Sequence, residues 1–364
     1  LWMEALDAEP PKTLDEFEAL MRRFVDEDPD GDGQKNTYGF SNTMFNAIYG
    51  AFGSLPNQWI ETSDGNLAYG AVLDSTREGL EKLAYFYKEG LIDPEFVTGE
   101  NVGGSWHISH ALVNEQIGVT NIAGFHAYAS AEEFAEVAPI EGRDDGIALV
   151  EMKKVQGEDA HVIPGPAFTG PRGDAGVSMN AAASAPNTLY NAQMDDEKLA
   201  ICLKIMDVFA QDTEMAIAAR YGLPEEDWEI IEENGKSYIA LYTGMAGASP
   251  KGGSVMRNLY GPGDVLNDEY FKLIGEANPE IAITTSIHYS GENMRKGYID
   301  PVYAPFDSIA EHKADLDTYQ EELFTKIIRG EEPIDAFDDF VTYWFDNGGQ
   351  KMTDDVNEWY KNIN

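Results

Sequence analysis

Thr13-Leu-Asp-Glu16-Phe17-Glu-Ala-Leu20-Met21-Arg-Arg-Phe24 runs into Asp28-Pro-Asp30-Gly-Asp32-Gly33-Gln34-Lys-Asn36-Thr37-Tyr-Gly-Phe40. The first part is a capped amphipathic helix. Thr13 can accept the backbone N–H three residues on, and Glu16 can reach back to Thr13. Phe17, Leu20, Met21 and Phe24 follow at helical spacing, and Pro10-Pro11 keeps the helix from extending backwards. The second part is a loop whose Asp28, Asp30 and Asp32 stand at alternate positions. Calcium takes six to eight hard oxygens, and alternation aims side chains one, three and five at one point. Gly33 permits the sharp turn that lets the Gln34 carbonyl join, and Asn36 stands at position nine. The twelfth position is Gly39 in place of a bidentate glutamate, so a full EF-hand is excluded. The expectation is a shorter, structural calcium (Ca2+) loop; the alternative is a polar Asx-rich turn between helix and strand.

Working outward, further helices are predicted from capping boxes at Ser75–Glu78, with Gly90 as stop, and at Ser130–Glu133, with Phe134 and Val137 behind it. A helix over 196–210 carries Leu199, Cys202, Leu203 and Met206, and Asp212 caps a short one running to Arg220. Leu316, Tyr319, Leu323 and Ile327 define a long helix ended by Gly330. Pro333 starts another with Phe337 and Trp344, and Thr353 caps a last one. Strands are expected at 116–122, 146–150, 161–164, 176–183 and 281–287. Helices interleaved with isolated strands indicate an α/β chain. Pro164–Gly173 reads as a linker or a surface loop.

The chain has 364 residues, 25 Lys plus Arg against 65 Asp plus Glu, and a formal net charge of −40. Such a surface repels phosphate backbones and anionic lipid, which argues against nucleic acid as a partner. With 43% hydrophobic residues it is too apolar for a disordered acidic tail. The length suits two domains or two lobes. No run of 18 apolar residues occurs. The first residue is Leu1, and Leu1–Pro11 has neither a basic nor an apolar leader region, so the chain reads as a mature fragment or one cut upstream. The single Cys202 reads as a buried, inert thiol. His107 and His110 could share a helix face, but zinc needs a further ligand and none is indicated nearby. Gly-x-Ser-x-Gly and Gly-x-Gly-x-x-Gly are absent, and Gly235-Lys236-Ser237 lacks the earlier P-loop glycine, since position 230 is Ile230. The expectation is a protein that is not an enzyme.

Aromatic residues outside helical stripes point to sugars. Trp59, Trp106, Phe125, His126, Tyr128, Tyr289, Tyr298 and Tyr303 fall in loops or at strand ends. Aromatic faces stack on sugar C–H surfaces, and neighbouring Asn or Asp groups bind hydroxyls. Asn121-Ile-Ala-Gly-Phe125-His126-Ala-Tyr128 directly follows a strand, where open α/β sheets place ligands.

The order of these motifs, joined by Tyr87–Phe96, Glu115–Val119, Tyr221-Gly222, Asp317–Leu323 and Ile328-Arg-Gly330, resembles the extracellular solute-binding proteins of family 1. These serve bacterial sugar-importing ABC transporters, and the similarity is greatest to the lipoprotein branch with alginate-oligosaccharide-binding members. The resemblance implies an α/β, periplasmic-binding-protein-like class II fold of two lobes, with most of the first lobe upstream of Leu1. Residues 1–172 would form the second lobe, 173–235 would cross to the first, and 236–364 would return. The implied calcium ligands are Asp28, Asp30, Asp32, the Gln34 carbonyl and Asn36. Relatives carry Asp-Glu where this chain has Asn36-Thr37, which implies a site of modest affinity. The implied solute residues are Phe125, His126, Tyr128 and Asn121, then Phe40, Asn42 and Met44, then Trp59, Trp106 and Tyr303. The implied function is carbohydrate capture in an interlobe cleft by a monomer, followed by delivery to ABC permease membrane subunits. The implied location is extracellular, lipid-anchored or periplasmic. The alternatives are a calcium-stabilised secreted lyase or hydrolase, and a surface adhesion module.

Overall fold

The computed structural model describes residues 1–98, 108–121, 127–133, 144–179, 193–212, 215, 228–233, 236–241 and 297–363. In chain order the principal elements begin with α1 (Leu14–Asp26), β1 (Tyr38–Phe40), β2 (Trp59–Glu61), β3 (Leu67–Tyr69), α2 (Asp74–Lys88) and β4 (Ile117–Val119). They continue with α3 (Ile147–Gln156), β5 (Val177–Met179), α4 (Asp196–Gln211), β6 (Trp228–Glu233), β7 (Lys236–Leu241) and β8 (Gly297–Ile299). Three helices close the chain: α5 (Asp307–Ile328), α6 (Ala336–Trp344) and α7 (Gln350–Ile363). The chain divides into two compact units. One comprises Leu1–Tyr128, Gly146–Ala181 and His288–Asn364; the other comprises Ala129–Asp145 and Ala182–Ile287.

In the first unit, α1 starts as its sequence dictates. Thr13 Oγ1 accepts the Glu16 N–H at 3.2 Å, and the Glu16 carboxylate accepts the Thr13 N–H at 3.2 Å. The apolar stripe of α1 lies on β1, with Phe17 5.2 Å from Phe40 between ring centroids. Gly39 allows that approach, because a Cβ there would stand 2.8 Å from Met21. β1 pairs in parallel with β4, Tyr38 opposite Ile117 and Phe40 opposite Val119. On its other side Phe40 bridges Ile92, also in parallel. β1 is therefore an inner strand, and its Phe40 is fully buried, as are Phe17, Phe24 and Phe86. Pro164–Gly173 is docked on this core: Thr169 bridges Thr13, and Phe168 stacks on Phe17 at 4.6 Å.

β2 and β3 form a hairpin in which Trp59 faces Tyr69. Tyr69 stacks on Trp344 of α6 at 5.5 Å and 9°, and its hydroxyl donates to Asp317 of α5 at 2.9 Å. Asn357 of α7 finishes the hairpin's edge. Its Oδ1 accepts the Leu67 N–H and its Nδ2 donates to the Leu67 carbonyl, both at 2.8 Å. β5 pairs in parallel with β8.

In the second unit Asp195 caps α4 by accepting the Lys198 N–H at 2.9 Å, and Asp212 accepts the Met215 N–H at 3.0 Å. β6 and β7 pair antiparallel from Trp228↔Leu241 to Glu233↔Lys236. Ser130 and Glu133 make the expected capping box, each accepting the other's backbone N–H.

Several expectations are corrected. Residues 147–150 open α3 and are not a strand, since Ala148, Leu149 and Met152 bury at helical spacing. Residues 161–164 form no strand. Helix α2 begins at Asp74, so Ser75 lies inside it and caps nothing. Thr353 lies inside α7, where its hydroxyl donates to the Gly349 carbonyl at 2.8 Å. Cys202 is half-buried, because the side of α4 it shares with Leu199 and Met206 is only partly covered. The 281–287 segment, His107, Tyr289 and the end of the helix expected to reach Arg220 lie outside the described residues.

Candidate calcium loop and solute site

The loop 28–36 leaves the end of α1 and enters β1. Its exit is pinned by Thr37, whose buried hydroxyl donates to the Phe24 carbonyl at 2.7 Å. Carboxylate oxygens of Asp28, Asp30 and Asp32 lie within 4.8 Å of one another. The loop's own donors satisfy part of this charge. Asp28 Oδ2 accepts the Gly33 N–H at 3.0 Å, Asp30 Oδ1 accepts the Asp32 N–H at 3.3 Å, and Asp32 Oδ1 accepts the Gln34 N–H at 2.6 Å. Asp32 Oδ2 receives the side-chain amides of Gln34 and Asn36, both at 3.1 Å. Asp28 Oδ1 is sealed from solvent and accepts no hydrogen bond. Among the described residues no Lys or Arg pairs with any of the three aspartates. Partial burial and the neighbouring Asp28 and Asp32 carboxylates push the Asp30 carboxyl above its ordinary value. A convergent all-oxygen set with an orphaned buried acceptor fits a hard divalent cation.

A second polar group gathers where β1 and β4 end. Both strands run the same way, so their carboxyl ends bring Asn42-Thr43 beside Thr120-Asn121. Thr43 Oγ1 and Thr120 Oγ1 are 3.1 Å apart, and the Asn121 N–H points at Thr43 Oγ1 at 3.5 Å. Asn42 Oδ1 is buried and without a hydrogen-bond partner. The carboxyl ends of adjacent parallel strands are where open α/β sheets take ligands. Amide and hydroxyl groups there can both donate and accept, which suits a polyol.

The other expected solute residues divide sharply. Phe40 is 0% exposed, with its ring between Phe17 and Phe86, so neither face is open to a solute. Met44 and Trp59 are buried, Trp59 against Tyr69. Tyr128 is buried as well; its hydroxyl oxygen accepts the Ser109 N–H at 3.0 Å, and burial raises its pKa. The Tyr298 hydroxyl donates to the Gly50 carbonyl at 3.3 Å. Tyr303 is 63% exposed, edge-on to Trp359. Trp106, Phe125 and His126 lie outside the described residues.

No protein-family model matches the chain. Lipoprotein LipO of Bacillus subtilis is 24% identical over 382 residues, covering 99% of this chain and 67% of LipO. The fructooligosaccharide ABC transporter substrate-binding protein FusA of Streptococcus pneumoniae is 30% identical over 102 residues, 26% of this chain and 19% of FusA. In three dimensions the alginate-binding protein AlgQ2, solved without calcium ion, superposes with a TM-score of 0.60 at 15% identity, over 99% of this chain and 70% of AlgQ2. FusA in complex with kestose superposes with a TM-score of 0.58 at 17% identity, over 100% of this chain and 70% of FusA.

The chain has the fold of ABC-transporter solute-binding proteins. An EF-hand mutant of FusA has the same likeness, with a TM-score of 0.58 at 18% identity. AlgQ2 is an alginate-binding protein, and FusA is a substrate-binding protein of an ABC transporter. Within that fold, Thr43 and Thr120 went unnoticed in the sequence. Thr43 stood between two suspected residues, Asn42 and Met44, and only the β1–β4 pairing shows that Thr120 meets it. None of the helices among the described residues is long and apolar enough to cross a membrane.

Proposed function

We propose that the chain is the carbohydrate-binding component of an ABC importer, extracellular and held at the membrane by a lipid anchor. The polar group formed by Asn42, Thr43, Thr120 and Asn121 at the carboxyl ends of β1 and β4 carries this reading, in a fold shared with a kestose-binding protein. In this reading Asn121 and Asn42 bind sugar hydroxyls, and Phe125 and His126, which follow Asn121 in sequence, offer rings for stacking. No bond is made or broken. Solute binding shifts an open–closed equilibrium, and the permease subunits engage the closed form. The Asp28, Asp30, Asp32, Gln34 and Asn36 loop holds a structural calcium ion that ties α1 to β1. Its Asn36 amide, turned end for end, presents oxygen in place of nitrogen.

The test is a thermal-shift and calorimetric screen with fructo-, alginate and glycan oligosaccharides. One class raises the melting temperature by mass action, and Asn121→Ala combined with Thr43→Val lowers its affinity. New sugar products on prolonged incubation would instead support the lyase or hydrolase reading. Silence across the panel, with the calcium response intact, would sink the carbohydrate reading.

A further inference from the structure

We infer that Ile201, Ile205 and Val208 of α4 form a docking face for a further segment of the same polypeptide, one lying outside the 364 residues of this chain. The docking face rests on the solute-binding fold alone, and on neither the solute nor the calcium ion. α4 has 16 residues, and ten of them are apolar. Leu199, Cys202 and Met206 make one stripe along the helix, at i, i+3 and i+7. Ile201, Ile205 and Val208, at i, i+4 and i+7, make a second stripe beside it. Asp196, Glu197, Lys204, Asp207 and Gln211 take the remaining side.

Only the first stripe is partly covered. Leu199, Cys202 and Met206 are half-buried, whereas Ile201 is 54% exposed, Ile205 38% and Val208 37%. A helix at the surface needs one apolar stripe. α1 has that form: Phe17, Leu20, Met21 and Phe24 are buried and the other side is charged. A helix apolar around more than half its circumference is built to be covered on two sides. In an α/β lobe this places it between the layer it lies on and a further layer. Ile147 and Val155 of α3 are as exposed, but they stand eight residues apart and form no stripe. Such isolated apolar side chains at a surface need no partner.

The occupant follows from charge and length. A bilayer is disfavoured, because α4 is too short to span one and the net charge of −40 repels anionic headgroups. A second copy brings another −40, so like-charge repulsion opposes self-association through this face. A segment of the same polypeptide meets no such barrier to encounter. LipO, AlgQ2 and FusA match 99–100% of this chain over only 67–70% of their own lengths, so each carries further chain alongside the shared span. A stretch of that kind seats its apolar side on Ile201, Ile205 and Val208. Lys198 and Lys204 border the stripe, so acidic residues at the rim of the incoming segment complement it.

The experiment compares the 364-residue chain with the full-length gene product. Cys202 is the single cysteine, so Cys202→Ala gives a background in which one introduced thiol reports. In the 364-residue chain Ile205→Cys reacts with a maleimide about as fast as Val155→Cys, an exposed control on α3. In the full-length product Ile205→Cys reacts about tenfold or more slowly, and Val155→Cys is unchanged. Ile201→Asp with Ile205→Asp leaves the melting temperature of the 364-residue chain where it was. The same pair lowers that of the full-length product by about 5 °C or more. Equal labelling of Ile205→Cys in both proteins, or a gene that encodes no further chain, overturns the docking face. If the 364-residue chain dimerises in sedimentation and Ile205→Asp abolishes the dimer, the face belongs to a second copy and the proposal is overturned as well. None of these readouts involves a solute, so a silent sugar panel leaves the docking face standing.

Discussion

Two polar turns in the first unit are built from the same chemistry and end differently. In the β2–β3 hairpin, Asp64 accepts from the Thr62 hydroxyl, from the Asn66 N–H at 3.2 Å and from Asn66 Nδ2 at 2.7 Å. These bonds hold its carboxyl down at about 2. One carboxylate meets enough donors, and the turn is complete. In the 28–36 loop three carboxylates meet too few donors. Asp28 Oδ1 has none, and Asp30 is displaced in the opposite direction from Asp64. Aspartate density alone does not distinguish a finished turn from a cation loop. The balance of acceptors against local donors does.

Calcium itself gives the strongest test of this contrast. Raising free calcium from chelated levels to a hundred times its dissociation constant stabilises the fold by about 2.7 kcal/mol, read as a rise in melting temperature. Asp30→Asn removes that increment, whereas Asp64→Asn leaves it whole; an increment lost in both would erase the distinction. Next come the two turn glycines, both left-handed and both in open space, Gly33 at φ 77° and Gly65 at φ 78°. Alanine at either costs about 1 kcal/mol in EDTA, measured by urea unfolding. Added calcium leaves the Gly65→Ala deficit unchanged and widens that of Gly33→Ala, whose N–H serves Asp28.

The finest test is pH dependence without calcium. Asp64 has a folded pKa of about 2 against about 3.9 unfolded. Its contribution is present above pH 4 or so and is lost as pH falls toward 2. Asp30 is raised, so the folded state binds the extra proton. Its contribution is present below the unfolded pKa and is lost as pH rises through the folded one. Asp64→Asn flattens the loss of urea midpoint on the acid side, and Asp30→Asn flattens the fall that comes as pH rises through the folded pKa of Asp30. Matching slopes for the two variants would contradict the assignment.

Local signals carried much of the architecture. Thr13 and Glu16 cap α1 as their spacing demands, because both partners lie within one turn of the chain. Gly146-Ile-Ala-Leu-Val150 misled, since a short apolar run has no period of its own until Met152 extends it. Both hairpins were passed over although Asp64-Gly65 and Asn234-Gly235, the strongest short-range hairpin pairs, mark them in the sequence. The aromatics were harder. Nothing within a few residues of Phe40 or Trp59 reveals that Phe17, Phe86 and Tyr69 will enclose them. Asn121 was readable because a strand end is a topological position, while Thr120 and Thr43 acquire meaning only from the pairing of β1 with β4.

The amide of Asn357 stands in for a peptide group. It gives Leu67 both halves of the pairing that a neighbouring strand would give, so a single side chain on the last helix terminates the ribbon. Trimming that helix, or replacing Asn357 with leucine, uncovers one donor and one acceptor on the edge of β3, and a second molecule can then add its own strand where the amide had stood.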